Sequence, residues 1–196
     1  AITISSKLSG SYNSACAAKD MVLENQPDKK IAVIDSRSTG PEMVLLVKKI
    51  CEIIESGADF DTVVSKAELY SNHTHIVFAL SSFNNLVKNG RMSKIVGFVA
   101  NKLGFWGIGI GSKQGTIEIK QKIRGSKKAL DAIIDDMKER GYNCGKVVIS
   151  HCRNAEFAES VKSAIQSVWD KAEVKIVHAR GLCSYYAEKG GLIIGF

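Results

Sequence analysis

Apolar and polar positions follow two different spacings along this chain, and the spacing marks out the elements. Ala1, Ile2 and Ile4 form a short apolar run, which gives way to the turn Ser5-Ser6-Lys7-Leu8-Ser9-Gly10-Ser11. Ala15, Ala17, Ala18, Met21, Val22 and Leu23 then predict an amphipathic helix from about Ser9 to Asn25. Lys30 to Ser36 reads as a short strand with a polar end. Gly40-Pro41 starts a helix to about Ser56, with Val44, Leu45, Val47, Ile50, Cys51, Ile53 and Ile54 at helical spacing. Phe60 to Tyr70 reads as another helix. This is α/β order, in which ligands sit at the carboxyl ends of parallel strands. The loops Ser5–Ser11 and Asp35–Thr39 both fall at such ends, so they are expected to face one site.

The texture changes near Ser71–His75, which places a domain boundary there, with residues 1–72 and 73–196 as the two units. The second unit begins with a strand from His75 to Leu80 and a short helix from Phe83 closed by Gly90. An apolar helix follows from about Ser93 to Leu103. Strands Phe105–Gly111 and Gly115–Gln121 are joined by the turn Ser112-Lys113-Gln114. A helix from Ser126 to Arg140, a strand from Lys146 to Ser150 and a helix from Ala155 to Ala172 come next. Val174 to His178 and Leu192 to Phe196 are closing strands. The expected class is α/β: part of a parallel-sheet domain, followed by an α+β domain with a mostly antiparallel or mixed sheet.

A chain of 196 residues with 45% hydrophobic content has ample core. No apolar run reaches the roughly 18 residues needed to span a bilayer, and no signal-peptide pattern opens the chain. The five cysteines are widely spaced without a CxxC pair. They fit small buried residues in a reducing cytoplasm rather than disulfides or a metal site. A net charge of +7 permits anion binding. Only Lys120 to Lys128 masses positive charge, and it lacks the aromatic interleaving of single-strand binders, which argues against nucleic acid. The strand-like opening at Ala1 and the apolar ending at Phe196 predict further sequence on either side.

Serine caps alone would account for some of the hydroxyls in the two loops, but their number exceeds what capping needs. A helix start with free N–H groups favours a carboxylate or phosphate. Nucleophilic motifs are missing: GxSxG does not occur, and His151-Cys152, being adjacent on an extended chain, point apart. No HExxH is present. Gly107-Ile108-Gly109-Ile110-Gly111 sits within strands rather than opening a helix, so it is no dinucleotide loop.

Ser5-Ser6-Lys7-Leu8-Ser9-Gly10-Ser11-Tyr12 resembles the SSxLSGTY segment of the DegV family. Val33-Ile34-Asp35-Ser36, Asn89-Gly90-Arg91-Met92, Ile123-Arg124-Gly125-Ser126-Lys127-Lys128-Ala129-Leu130 and the run from Arg180 to Leu192 resemble further family segments, in order and at family spacing. The resemblance implies a two-domain carrier that encloses one long-chain fatty acid and presents its carboxylate to a fatty acid kinase subunit. It implies no catalysis by the carrier, no metal, no cofactor beyond the bound acid, a cytoplasmic location and at most transient contact with a membrane surface. The carboxylate is expected at Ser6, Ser9 and Gly10. Tyr186 stands where many relatives place a histidine. The family's TSQP-like segment has no counterpart here, in keeping with sequence expected before Ala1. The acyl chain is expected against Phe78 and Leu80 and against Ile95, Phe98, Val99 and Leu103, while Arg91 and Arg124 are assigned to the kinase contact. Burial of such a tail contributes on the order of 10 kcal/mol before the costs of association. The alternatives are a serine-dependent acyl-ester hydrolase, with Ser6 or Ser9 as nucleophile, and a regulatory protein with a vestigial pocket.

Overall fold

At the amino end, β1 (Ile2–Thr3) and β2 (Ile34–Asp35) pair in parallel. The computed structural model describes residues 1–92 and 104–196. The expected helix from Ser93 to Leu103, with Ile95, Phe98, Val99 and Leu103, lies outside the described residues. The strand expected over Lys30–Ser36 shortens to two residues because its ladder ends with β1: Ile34 N–H donates to Ala1 O, and Ser36 N–H to Thr3 O.

Helix α1 (Ser11–Asn25) starts two residues later than its pattern suggests, since Leu8 and Ser9 N–H groups both turn back to Ser5 O. None of its residues is buried, and Met21 is 67% exposed, which corrects the amphipathic packing expected of it. Helices α2 (Gly40–Glu55) and α3 (Phe60–Ser71) follow. Leu46 of α2, Ile34 and Ala67 form a small core under them.

The larger unit is a six-stranded sheet. Its strands are β3 (Ile76–Leu80), β4 (Phe105–Gly111), β5 (Ile117–Arg124), β6 (Lys146–His151), β7 (Glu173–His178) and β8 (Leu192–Gly195). The order is β5-β4-β3-β8-β6-β7, antiparallel throughout except for the parallel pair β6–β7. Helix α4 (Asn84–Lys88) follows β3, and α5 (Ser126–Glu139) and α6 (Ala155–Val168) follow β5 and β6. Both strands of the small sheet precede residue 72 and all six of the large sheet follow it.

The period of two in β3 explains how one sheet serves two purposes. Val77 and Ala79 face a core shared with Ile133, Met137, Val161 and Ile165 of α5 and α6. Ile76, Phe78 and Leu80 face a second cluster with Phe83, Leu86, Met92 and Ile193. All five β3 residues are buried, as befits a strand covered on both faces. Helix α2 bridges the two sheets. Its Glu42 lies so close on β8 that a Cβ at Gly195 would stand 2.5 Å from Glu42 N.

In two places the structure departs from the local pattern. Helix α6 stops at Val168 because Trp169 turns into extended backbone and packs edge-on against Tyr142, at 4.9 Å between centroids. A seventh helix, α7 (Gly181–Ala187), occupies a stretch where the spacing gave no element. The five cysteines are free, but Cys51 and Cys144 are exposed and the others half-buried, so the expectation of buried cysteines does not hold. No described helix is long and apolar enough to cross a membrane.

Candidate functional site

The second face of the six-stranded sheet does not close on itself. Between Ile76, Phe78, Leu80 and Ile193 of the sheet, Leu86 of α4, Ala187 of α7 and the start of α2 lies a cavity of about 420 Å³. That lies within the range of small-molecule sites. Ile4, Leu8, Met43 and Ile117 extend the apolar wall. Polar groups gather at Ser9, Thr39, Thr116, Tyr186, Arg37, Arg91 and Arg180, and no carboxylate or histidine lines the cavity among the described residues.

The hydroxyls of the two loops divide by what they touch. Ser5 is fully buried; its Oγ donates to Gly115 O at 2.7 Å and accepts from the Lys7 N–H at 3.1 Å. Gly115 is required there: it has φ +84°, and a Cβ would meet Ser5 Oγ at 2.3 Å. Ser36 Oγ donates to Ser38 O at 3.2 Å, and Ser38 Oγ donates to Glu42. The Ser6 and Arg37 N–H groups both donate to Asp35 Oδ1, at 3.1 and 2.9 Å. Together with the Ser5 N–H donated to Ser38 O at 2.8 Å, these bonds staple the loops to each other. Ser5, Ser36 and Ser38 are therefore structural. Ser38 also lines the cavity, but its hydroxyl is taken by Glu42; Ser9 and Thr39 line it with hydroxyls not so committed.

Among the described residues, Ser9 Oγ accepts from the Ser11 N–H alone, at 3.2 Å. Thr39 is the N-cap of α2, yet its side chain makes no capping bond; its Oγ1 lies 3.8 Å from Cys183 Sγ. Thr39 and Gly40 both line the cavity, so α2 presents an uncapped start to it. Tyr186 also lines the cavity, its ring edge-on to Tyr185 at 5.1 Å. Its hydroxyl has no hydrogen-bond partner among the described residues.

Three arginines line the cavity. The Arg37 guanidinium is drawn off to Ser71 and Asn72, and Arg91 donates to Leu8 O at 3.3 Å and to Asn89 O. Arg180 has no hydrogen-bond or ion-pair partner among the described residues. Beneath the site, Glu42 is buried and accepts from Ser38 and, at 2.7 Å, from Thr74. Burial pushes its carboxyl above the usual range, and the two hydroxyls partly offset that.

Of the residues singled out from the sequence, Ser9, Tyr186, Phe78, Leu80 and Arg91 line one cavity. Ser6 and Gly10 are not among the lining residues; Gly10 instead serves as the N-cap of α1. Arg124 is exposed on β5, its guanidinium 5.8 Å from the Phe105 ring centroid. Sequence reasoning did not single out Arg180, Met43, Thr116, Leu182 or Cys183. Most of these lie on α7 or the β4–β5 turn, brought in from more than a hundred residues away. Chemically, the arrangement can hold an amphiphilic anion. A serine nucleophile at Ser9 would have no histidine or carboxylate as general base among the described lining residues.

A DegV domain-containing protein of Streptococcus pneumoniae is 43% identical over 195 residues, covering 100% of this chain and 69% of the relative. The S. pneumoniae Fatty Acid Kinase (Fak) B3 protein, solved loaded with linoleic acid, is 42% identical. It superposes with a TM-score of 0.95 over 100% of this chain and 69% of its own. A DegV family protein from Eubacterium eligens, solved loaded with heptadecanoic acid, is 39% identical with a TM-score of 0.94, over 99% of this chain and 70% of that one. The DegV family model matches residues 1–196, and the chain belongs to the DegV family.

Proposed function

We propose that this protein binds one long-chain fatty acid and presents its carboxylate to a partner fatty acid kinase. The observation that carries the reading is the cavity itself: lined by apolar side chains of the sheet together with several hydroxyls and arginines, and free of carboxylates among the described residues. Two relatives of about 40% identity were solved with such acids bound. The tail lies along Phe78, Leu80 and Ile193 and drives binding through buried area. The carboxylate sits at the start of α2, where Ser9, Thr39 and Tyr186 offer hydroxyl donors and the helix dipole favours negative charge. Arg124 and Arg91 belong to the kinase contact, and a division into two units near residue 72 is part of the same proposal.

Native mass spectrometry after mild purification tests the reading. A retained long-chain acid is the expected result. Ser9→Ala and Thr39→Ala should each weaken retention about fivefold, the equivalent of one hydrogen bond of about 1 kcal/mol. Absence of both retained lipid and heat stabilisation by added oleate would overturn the proposal. Arg124→Ala should leave lipid content intact and lower acyl phosphate formation with the kinase. Lipid loss in that variant would refute its assignment.

A further inference from the structure

The parallel pair β6–β7 ends in a second depression. The two strands run in register from Lys146↔Glu173 to His151↔His178, so both close on a histidine. Their rings stand 4.5 Å apart between centroids. His151 is buried, and its Nδ1 accepts from the Asn154 N–H at 3.1 Å. An acceptor at Nδ1 puts the proton of the neutral ring on Nε2. Burial, and after it the neighbouring His178, lowers the His151 pKa, which keeps the ring in that neutral form. Nε2–H then has no acceptor among the described residues.

Arg153 and Arg180 supply the charge. Arg153 follows the strand in left-handed backbone, φ +53°, and Arg180 precedes α7. Both line the depression with Ser184 and Tyr185, and neither guanidinium has a hydrogen-bond or ion-pair partner among the described residues. Helix α6 starts just after, its N-cap Asn154 making no side-chain cap; the Asn154 side chain is turned to Gly190 instead, Nδ2 donating to Gly190 O at 2.7 Å. Glu156, in the first turn of α6, is not among the lining residues. Two imidazoles alone would suit a divalent metal. Two guanidiniums and the start of a helix beside them repel a cation and suit an anion with several acceptor oxygens.

We propose that this depression is a phosphate site, in which His151 Nε2–H, Arg153 and Arg180 donate to the oxygens of one phosphate group. Arg180 lines both this depression and the lipid cavity, so the phosphate sits beside the cavity mouth. Only the source of that phosphate rests on the fatty-acid reading: free in solution, or carried on the end of an acyl chain seated in the cavity.

The test is a nitrogen-15 NMR titration of the histidine rings in the full chain loaded with linoleic acid, using sodium phosphate against sodium chloride of equal ionic strength. Hexadecyl phosphate added to delipidated protein forms the second arm. The His151 and His178 signals should shift saturably with phosphate and not with chloride. Arg153→Gln and Arg180→Gln, both at exposed positions, should each weaken the binding about tenfold, as loss of a charge-assisted hydrogen bond does. Tighter binding of hexadecyl phosphate than of free phosphate, with the margin lost in Arg180→Gln, assigns the source to an acyl chain. Equal binding assigns it to free phosphate. No saturable shift, an adventitious effect equal in the double variant, or a response to zinc chloride in place of phosphate would overturn the proposal. Loss of linoleic acid with the phosphate response intact would instead count against the fatty-acid reading.

Discussion

Adding one methyl group at Gly109 should weaken binding of long acyl chains without touching the head-group end. The residue lies opposite Phe78 across the β3–β4 pairing. A Cβ there would stand 2.4 Å from Phe78 Cζ, 2.5 Å from its Cε2 and 2.5 Å from the Glu118 carbonyl oxygen. Carbon atoms in contact sit about 3.5–4.0 Å apart, so the ring must move by about 1 Å. The unfilled space on its side of the sheet is the cavity. Excluding one or two methylenes of the tail costs about 0.8 kcal/mol each, which amounts to roughly four- to fifteenfold in affinity. Overpacking should also cost about 1–3 kcal/mol of stability. Competition with a fluorescent fatty acid and thermal unfolding, run on Gly109→Ala, Phe78→Leu and the double variant, separate the two effects. The smaller leucine should restore long-chain affinity in the double variant but only part of the stability, because the Glu118 oxygen belongs to the main chain and stays in place. A coupling energy near zero between the two sites, or unchanged long-chain affinity in Gly109→Ala, would refute the reasoning.

Three further outcomes follow from the same structure. The folded-state pKa of Glu42 is raised, so its contribution to stability is fullest below the ordinary carboxylate range and fades as pH rises through the folded value. Glu42→Gln should therefore flatten that portion of the Tm-against-pH curve, and an unchanged slope would count against the assignment. Tyr186→Phe keeps the packing against Tyr185 and removes the hydroxyl, so lipid retention should fall severalfold while Tm stays put. Retention equal to that of the parent protein removes Tyr186 from the head-group end. Ile149→Ala deletes a side chain with no solvent exposure, and urea unfolding should show a loss of about 2–5 kcal/mol. A loss below about 1 kcal/mol would mean the sheet relaxes around the gap.

What could be read from the chain depended on the range of the interactions involved. The run Ile76-Val77-Phe78-Ala79-Leu80 shows a buried strand by itself, and Leu45, Ile53 and their neighbours show the inner face of α2 at helical spacing. The two hydroxyl-rich loops were also visible at strand ends. Which hydroxyl does what was not legible, because Ser5, Ser6 and Ser9 differ only in partners supplied by distant segments. Ser5 is taken by Gly115, whereas Ser9 is left to the cavity. The GxGxG run reads as strand from its flanks, and it lies within β4. Its purpose needs the facing residues, since Gly109 and Gly111 make room for Phe78 and Ile76. Helix α7 is only seven residues long, between Gly181 and the Gly190-Gly191 pair, too short for a periodic signal. Arg180, at its start, stands in the closing family-like run, but nothing local marks its side chain as part of a site.

The bond from Ser5 to Gly115 spans 110 positions of chain. Such a latch cannot close during synthesis until the β4–β5 hairpin has emerged, because contacts of high sequence separation form only after the intervening chain has ordered. The opening loop is thus made early and finished late. A newly made chain halted before residue 115 would carry the apolar strand β3 without the partner that fixes the Ser5 loop.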